Sequence, residues 1–498
     1  MPILLLFAVF VIATCGLIYE LIAGTLASYL LGDSVTQFST IIGVYLFSMG
    51  VGSFFSKYIE KELLAWFVKI EILVGLVGGT SSSILFLVFD KVASFQIVLY
   101  FLIGLTGILV GLEIPLLMRV LEKSKFEFKE IVSKVFTFDY IGALLASVLF
   151  PLIFVPYMGL IRTSFFFGIF NTIVALIVCH QFSTDLKNKF ALKLSAWTVL
   201  ILLLIGFLTS DKIMSWSESM AYQDKIIFAK SSHYQRIVLT RNRKELKLYL
   251  NGNLQFCSTD EYRYHEALVH PGMSTNPHIK KVLVLGGGDG LAVRELLKYK
   301  QIQKITLVDL DAYMTDLFKT NTLLTSLNQN SLMHPKVNVI NTDAFQWVRN
   351  TNERFDFIVI DFPDPSNFSV GKLYTNTFYR EVGKLLNDNA VLVVQSTSPY
   401  VAPKSFWCVN NTLQSIGLQT QPYHCYVPSF GEWGYVLASK KSFQVKNSLI
   451  PNLKFLTTDS FDQMAYFPKD MQAVNTDINK LNNQILVHYF EEEWGKVQ

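Results

Sequence analysis

The chain has 498 residues with a formal net charge of +4; it is 51% hydrophobic and only 16% charged, so it is oilier than a soluble enzyme and too long for one ordinary core. Its basic residues form no block, which argues against nucleic acid as a partner. The five cysteines (Cys15, Cys179, Cys257, Cys408 and Cys425) lack metal-ligand spacing, which argues against zinc and against a disulfide framework.

The apolar excess lies almost wholly before Ser210. Runs long enough to cross a bilayer as helices occur near 3–26, 38–57, 66–89, 95–118, 139–157, 161–180 and 190–208. One early run would suit a signal peptide, but a succession does not. Residues 1–210 therefore read as a polytopic domain of the cell membrane with about seven transmembrane helices. Glu20, Glu71, Glu113 and Asp139 lie in or beside these runs. Intramembrane acids are expensive and often functional. Pairing with Lys69, Arg119 or a backbone group is the plain reading, and a ligand path or sensor is the other.

From Asp211 the composition becomes that of a soluble protein. Over 211–275 polar and apolar residues alternate, and Asn251-Gly252 marks a hairpin turn, so a small antiparallel sheet is expected, ending at a helix start near Asp260. Next come "KVLVLG", "KITLVDLD", "KVNVINTDA", "FDFIVIDFPDP" and "AVLVVQSTS", separated by helical stretches. Continuous apolar strands alternating with helices predict a parallel sheet covered on both faces, a doubly wound Rossmann-like α/β domain over 276–440. The polar stretch 441–498, with scattered aromatics, is expected to pack on it.

Gly286, Gly287 and Gly288 follow a strand and precede a helix, the setting of a nucleotide-binding turn. The second strand ends in Asp309, about 20 residues after Asp289, where an acid commonly holds ribose hydroxyls. Close helix–strand packing also selects glycine, yet strand, loop and acid together favour nucleoside binding. Asp343, Asp361 and Asp364 fall at later strand ends, outside which open α/β sheets bind ligands. Loop aspartates also cap helices and close turns. Five acids converging on one crevice, however, repel one another unless a cation lies between them. The crevice thus reads as a site for a polycation.

Tyr234-Gln235, "DEYRYHE" at 260–266, "GGGDG" at 286–290, "LVDLD" at 307–311, "TDAF" and "DFPDP" stand in the order found in spermidine synthases. This half of the chain resembles that family. "DFPDPSNFSVGKLY" and "YVPSFGEWGYVLAS" are similar to its long members, in which a multispan membrane domain precedes the synthase. The resemblance implies a fold like that of class I methyltransferases. It also implies transfer of the aminopropyl group of decarboxylated S-adenosylmethionine to putrescine or a related amine, giving spermidine and 5′-methylthioadenosine. That nucleoside is a co-substrate, and no cofactor is held permanently.

Residue by residue, the resemblance puts Gln235 at the nucleoside, Gly286 and Gly288 in its loop, and Asp309 at the ribose, where the family usually has glutamate. Asp343 and Ala344 match an Asp-Gly pair at the adenine edge. Asp289 would pair with the bare ammonium of the decarboxylated co-substrate and repel the carboxylate of ordinary S-adenosylmethionine. Gln255, Tyr264 and His265 match the amine side, Asp364 would hold an acceptor ammonium, and Asp361 is the expected catalytic base, because a protonated amine has no lone pair with which to attack. Two departures bear on acceptor choice: Ser366-Asn367-Phe368 replaces a Gly-Pro pair, and Pro428-Ser429-Phe430 replaces Pro-Thr-Tyr and lacks the phenol.

Two rival functions remain at this stage. A methyltransferase using S-adenosylmethionine shares the fold, and Asp289 with the Asp361/Asp364 pair speaks against it. A membrane polyamine transporter or sensor would use the synthase-like domain only to bind, and retention of Asp361 speaks against that. The partners implied are an amine and the lipid bilayer, with homo-oligomerisation left open. Basic residues such as Lys57, Lys61, Lys123, Lys125, Lys129 and Lys187 lie in or beside even-numbered loops, against Lys91 and Arg162 in the odd ones. Cytoplasmic even loops and seven spans would put the catalytic domain outside. The co-substrate is made in the cytosol, so the catalytic domain is expected in the cytoplasm, and the span count decides between the two.

Overall fold

The computed structural model describes residues 2–31, 34–89, 95–122, 127–222, 224–232, 234–446, 449–457 and 459–496. Lys91, Lys123 and Lys125 of the charge count lie outside the described residues. The chain divides into two compact units, Met1–Gln223 and Asp224–Gln498.

The first unit is helical: α1 (Pro2–Leu31), α2 (Ser34–Ser56), α3 (Leu63–Val88), α4 (Phe95–Glu122), α5 (Phe128–Leu149), α6 (Val155–Gln181) and α7 (Lys189–Ala221). Among the described residues six helical segments are long and apolar enough to cross a membrane, where the sequence offers seven apolar runs. The difference lies at 139–157 and 161–180, which no polar loop separates. There α5 runs through a π-helical turn, Phe150–Phe154, into α6, making one segment of 54 residues. At 1.5 Å per residue that is about 80 Å, well over twice the hydrocarbon thickness. The segment is broken inside, at Gly159 (φ 72, ψ 173). Just past the break Arg162 donates to Ser210 and pairs with Asp211 on α7. Helix α7 continues to Ala221, so the change of composition at Asp211 falls within a helix.

Phe47, Phe101, Leu152, Phe190 and Leu208 point outward and are exposed, as lipid-facing side chains are, while Cys15, Val68, Leu99 and Leu203 are buried. Lipid tails give helices little hydrophobic reason to associate, so close backbone packing takes over. A Cβ on Gly111 would lie 2.1 Å from the Met49 carbonyl oxygen, so α4 meets α2 backbone to backbone.

The second unit begins with an antiparallel sheet, in the order β1 (Lys225–Ser231), β2 (Arg236–Asn242), β3 (Glu245–Leu250) and β4 (Asn253–Cys257). Asn251 and Gly252 both have positive φ, 51° and 83°, as the two-residue hairpin turn requires. Helix α8 (Glu261–Ser274) starts after Asp260. The main sheet has strands β5 (Lys281–Gly286), β6 (Lys304–Asp309), β7 (Val337–Asn341), β8 (Phe355–Asp361), β9 (Leu386–Gln395), β10 (Gln419–Val427) and β11 (Gly431–Ser439). Their order is β10-β11-β9-β8-β5-β6-β7. Five strands are parallel, and the β10–β11 hairpin adds an antiparallel edge, so the sheet is mixed rather than purely parallel.

Successive residues of β5 enter two different cores: Val282 and Val284 join one, Leu283 and Leu285 the other. The period of two explains why these strands read as unbroken apolar runs. Ile237, Leu248 and Phe256 of the small sheet share the first core, as do Leu456 and Met464, while Leu486 joins the second. Strand β5 lies between β6 and β8, so chain direction across the sheet reverses there. The crevice beyond its carboxyl end is where such sheets bind ligands.

Candidate active site

The loop after β5 is tied to the end of β8. Gly286 has φ 81°, and a Cβ on it would lie 2.2 Å from the Asp361 carbonyl oxygen. That oxygen instead accepts from the Gly287 N–H at 3.1 Å. The glycine therefore fixes Asp289 and Asp361 near one another. Gly288 N–H donates to Asp309 Oδ2 at 3.1 Å, and the Asp311 N–H donates to Asp309 Oδ1 at 2.8 Å. Asp289 Oδ1 accepts from the N–H of Leu291 at 2.9 Å, at the first turn of the helix α9 (Leu291–Leu297).

Four carboxylates crowd this end of the sheet, Asp289, Asp309, Asp361 and Asp364. Burial raises Asp361 to about 6, helped by repulsion from Asp289 and opposed by His265 and by the Tyr264 hydroxyl. That hydroxyl donates to Asp361 Oδ1 at 2.6 Å. Burial also raises Asp364 to about 7, against hydrogen bonds from Gln395 and Thr397. Asp289 is raised too, chiefly by burial, while His265 pulls it down. Asp309 is raised to about 6 by burial, with the Asp311 and Asp289 charges adding and the two backbone donors opposing.

One fixed cation, His265, faces two of them, Asp289 and Asp361. Burial alone would lower His265, but the hydrogen bond and charge of Glu261, with Asp289 and Asp361, raise it to about 9. Its Nδ1 lies 2.8 Å from Glu261 Oε2. Glu261 in turn takes both Arg294 terminal nitrogens, at 2.8 and 2.9 Å. Burial works against its charge, yet His265 and Arg294 hold Glu261 down at about 2. This buried chain of alternating charge keeps an imidazolium beside the carboxylates.

Other expected residues sit differently. Asp343 is not one more unpaired acid of the cluster: its Oδ2 pairs with Lys372 at 2.8 Å and its Oδ1 accepts from the Gln346 N–H, capping the helix Ala344–Asn350. Partial burial pushes Asp343 up, but Lys372 and the backbone N–H groups of Gln346 and Phe345 together hold it below its usual range. Ala344 is buried in that helix's first turn, where φ is negative and alanine is unstrained. Gln235 donates to Asp311 Oδ2 at 2.9 Å, beside Ser232 at 2.6 Å. Gln255 bonds carbonyls of its own hairpin, Asn253 and Leu254, and no contact links it to the acids among the described residues.

Several side chains at the site were not singled out from sequence. Gln395 donates to the Phe362 carbonyl at 2.6 Å and lies 3.4 Å from Asp364 Oδ1. Trp433 Nε1 donates to Gln395 Oε1 at 3.3 Å. Trp494, on the C-terminal helix Ile485–Trp494, donates to Thr397 Oγ1 at 3.2 Å. Thr397 has φ 54°, a costly conformation for a β-branched residue. The rings of Phe430 and Trp433 lie 6.2 and 6.5 Å from that of Tyr264, forming an aromatic wall. Ser429 donates through its N–H and hydroxyl to Asp260, which aims Phe430 at this wall.

Residues 261–448 match the spermine/spermidine synthase domain. The chain is 53% identical over 490 residues to a polyamine aminopropyltransferase of Leptospira interrogans, covering 98% of each. It is 51% identical over 502 residues to polyamine aminopropyltransferase 2 of Ralstonia nicotianae, covering 99% of this chain and 98% of that one. A crystal structure of spermidine synthase with the transition-state analogue AdoDATO aligns with a TM-score of 0.46 at 24% identity, over 55% of this chain and 89% of that one. With likeness along the whole length, six apolar helical segments included, the chain belongs to the polyamine aminopropyltransferases of the spermidine synthase family.

Proposed function

We propose that the chain moves the aminopropyl group of decarboxylated S-adenosylmethionine to putrescine, giving spermidine and 5′-methylthioadenosine. The observation that carries this reading is the trio Asp289, Asp361 and Asp364. They crowd one crevice at the strand-order reversal, and none forms a salt bridge with a lysine or arginine among the described residues, Arg294 reaching Asp289 only at longer range. A pair of ammonium groups supplies the missing positive charge.

In this reading the glycine loop and Asp309 seat the nucleoside, with Asp309 lone pairs left for ribose hydroxyls after its two backbone bonds. Asp343 and Ala344 lie at the adenine edge, and Gln235 steadies that side through Asp311. Asp289 takes the ammonium of the aminopropyl arm. Asp364 takes the far ammonium of the acceptor, and Tyr264, Phe430 and Trp433 flank its methylenes.

The near nitrogen of the acceptor attacks the methylene carbon bound to the sulfonium. The C–S bond breaks, its electron pair stays on sulfur as a neutral thioether, and the amine proton passes to Asp361. Tyr264 occupies Oδ1 of that carboxylate, which leaves Oδ2 to receive the proton. The His265 imidazolium favours ionised Asp361 and Asp289 before the amine arrives. The sulfonium already leaves readily, so positioning and charge supply most of the remainder.

We place the catalytic unit in the cytoplasm, where the co-substrate is made. The test is incubation of the purified full-length protein with decarboxylated S-adenosylmethionine and a panel of amines, read by mass spectrometry. Spermidine from putrescine is the expected main product. Faster formation of another aminopropylated amine would overturn the acceptor assignment.

A further inference from the structure

Glu71 on α3 and Glu113 on α4 are fully buried, and none of their four carboxylate oxygens has a hydrogen-bond partner among the described residues. The cations expected from sequence to pair with them are engaged elsewhere. Lys69 Nζ sits 4.6 Å over the Trp66 ring, and Arg119 Nη1 donates to the Ser56 carbonyl at 3.0 Å.

Two further buried polar groups point to the same place. The Tyr19 hydroxyl, from α1, is unpartnered and within electrostatic reach of both glutamates, which also reach each other. A Cβ on Gly78 would lie 2.6 Å from the Tyr19 ring. Asn171, from α6, is fully buried with neither amide atom partnered. Its Cβ lies 3.4 Å from where a Cβ on Gly75 would stand. Glu71, Gly75 and Gly78 share one face of α3 by helical spacing. Three helices thus bring the unpartnered groups of Tyr19, Glu71 and Glu113 within electrostatic reach of one another, and α6 lays Asn171 against the same face of α3.

We propose that Glu71 and Glu113 form an ammonium-binding site inside the membrane unit, filled by an aliphatic amine of the kind the catalytic unit handles. The choice of amine, though not of ammonium, rests on the acceptor reading above. Hydrogen-bond accounting selects this guest. Protonation cancels the charge of a carboxyl and gives it one O–H to share with its neighbour, but leaves the remaining oxygens unpaired in an apolar surround, which costs free energy for each. Water pairs the oxygens and leaves two charges at hydrocarbon depth. An ammonium carries positive charge and three N–H donors and no acceptor, the complement of four carboxylate oxygens and the Asn171 carbonyl. A diamine brings one such group for each glutamate.

The test uses the full chain in lipid nanodiscs. Equilibrium binding of radiolabelled putrescine and spermidine should show two amine sites per chain, and one in the double variant Glu71→Gln, Glu113→Gln, provided it runs as a single species on gel filtration. One site in the unaltered chain, or two in both, overturns the proposal. A second readout needs no variant. Dicyclohexylcarbodiimide attacks buried carboxyls, and peptide mass spectrometry reports its adducts at Glu71 and Glu113. Spermidine at ten times its Kd should slow that labelling about tenfold by mass action, with sodium at equal ionic strength without effect. Labelling that amines leave unchanged, or that sodium slows equally, overturns the proposal. Were putrescine the wrong acceptor, the product assay would show another amine while carbodiimide protection persisted.

Discussion

Both units bury carboxylates, and they treat them in opposite ways. In the catalytic unit nearly every buried acid is tied to a donor: Asp361 to Tyr264, Asp309 to two backbone N–H groups, Glu261 to Arg294 and His265. In the membrane unit Glu71 and Glu113 have no such donor among the described residues. A carboxylate held by protein donors is poised for proton transfer and orientation. One without donors, in a low-dielectric surround, has its state set by whatever guest arrives. The contrast separates a site built for chemistry from one built for binding.

The largest effect expected on the catalytic side comes from Asp361→Asn. The amide keeps the shape but takes up no proton, so turnover should fall by about 10²–10⁴ while nucleoside binding survives in calorimetry. Raising the pH should recover part of the loss, since more of the acceptor is then deprotonated. Near-normal turnover at neutral pH with saturating amine would remove Asp361 from the base role.

Asp289→Asn should act on binding instead. Losing a charge-assisted contact worth about 1.5–3 kcal/mol weakens the decarboxylated co-substrate by about 10- to 150-fold. Ordinary S-adenosylmethionine should gain relative affinity, because the repelling charge is gone. Equal weakening of both ligands would refute discrimination by Asp289.

Tyr264→Phe tests how protein donors tune an acid. Ionised Asp361 is the active form, so activity is present above its pKa and lost as pH falls through about 6. The Tyr264 hydrogen bond lowers that pKa against burial. Without it the acidic limb of the kcat/KM profile should move to higher pH. A limb that stays in place would mean another group sets it.

Trp494→Phe should have a smaller effect. The indole N–H bonds Thr397, whose hydroxyl bonds Asp364, so the C-terminal helix supports the acceptor's second ammonium through a strained threonine. One neutral hydrogen bond is worth about 0.5–1.5 kcal/mol, so the acceptor KM should rise by up to about tenfold with kcat unchanged. A fall in kcat at constant KM would show that Trp494 acts on the chemical step.

The part of the fold legible in sequence was that with strong periodic signals. Strands β5 to β9 appear as apolar runs because both their faces are buried, and the hairpin at Asn251-Gly252 announces itself by turn chemistry. The edge hairpin β10–β11 was not legible: "QTQPYHCYV" carries Pro422 and mixed polarity, as an edge strand tolerates. Between α5 and α6, where polar punctuation is missing, two apolar runs of the sequence join in one long helical segment. At the site the aspartates were legible because strand ends place them. Their partners were not. Gln395 reaches Asp364 from 31 positions away and Gln235 reaches Asp311 from 76, so only the fold joins them. Gln255 shows the converse, a residue matched by resemblance that the fold leaves bonded to its own hairpin.

The smallest effect on turnover should come from the largest deletion. A chain starting at Asp224 removes all six apolar segments and begins where the second compact unit does. Every donor named above for Asp361, Asp309, Asp364 and Glu261 lies beyond that point, and so do both cores that carry the seven-stranded sheet. The truncated chain should therefore fold and transfer aminopropyl groups at a rate close to that of the full protein. It should also bind one amine per chain instead of two, having lost Glu71 and Glu113. A chain that is folded by circular dichroism yet inactive would break the comparison, for the helices would then contribute to the chemistry. A chain that is active and still binds two amines would break it from the other side, because the second amine would then sit among the aspartates of the catalytic crevice.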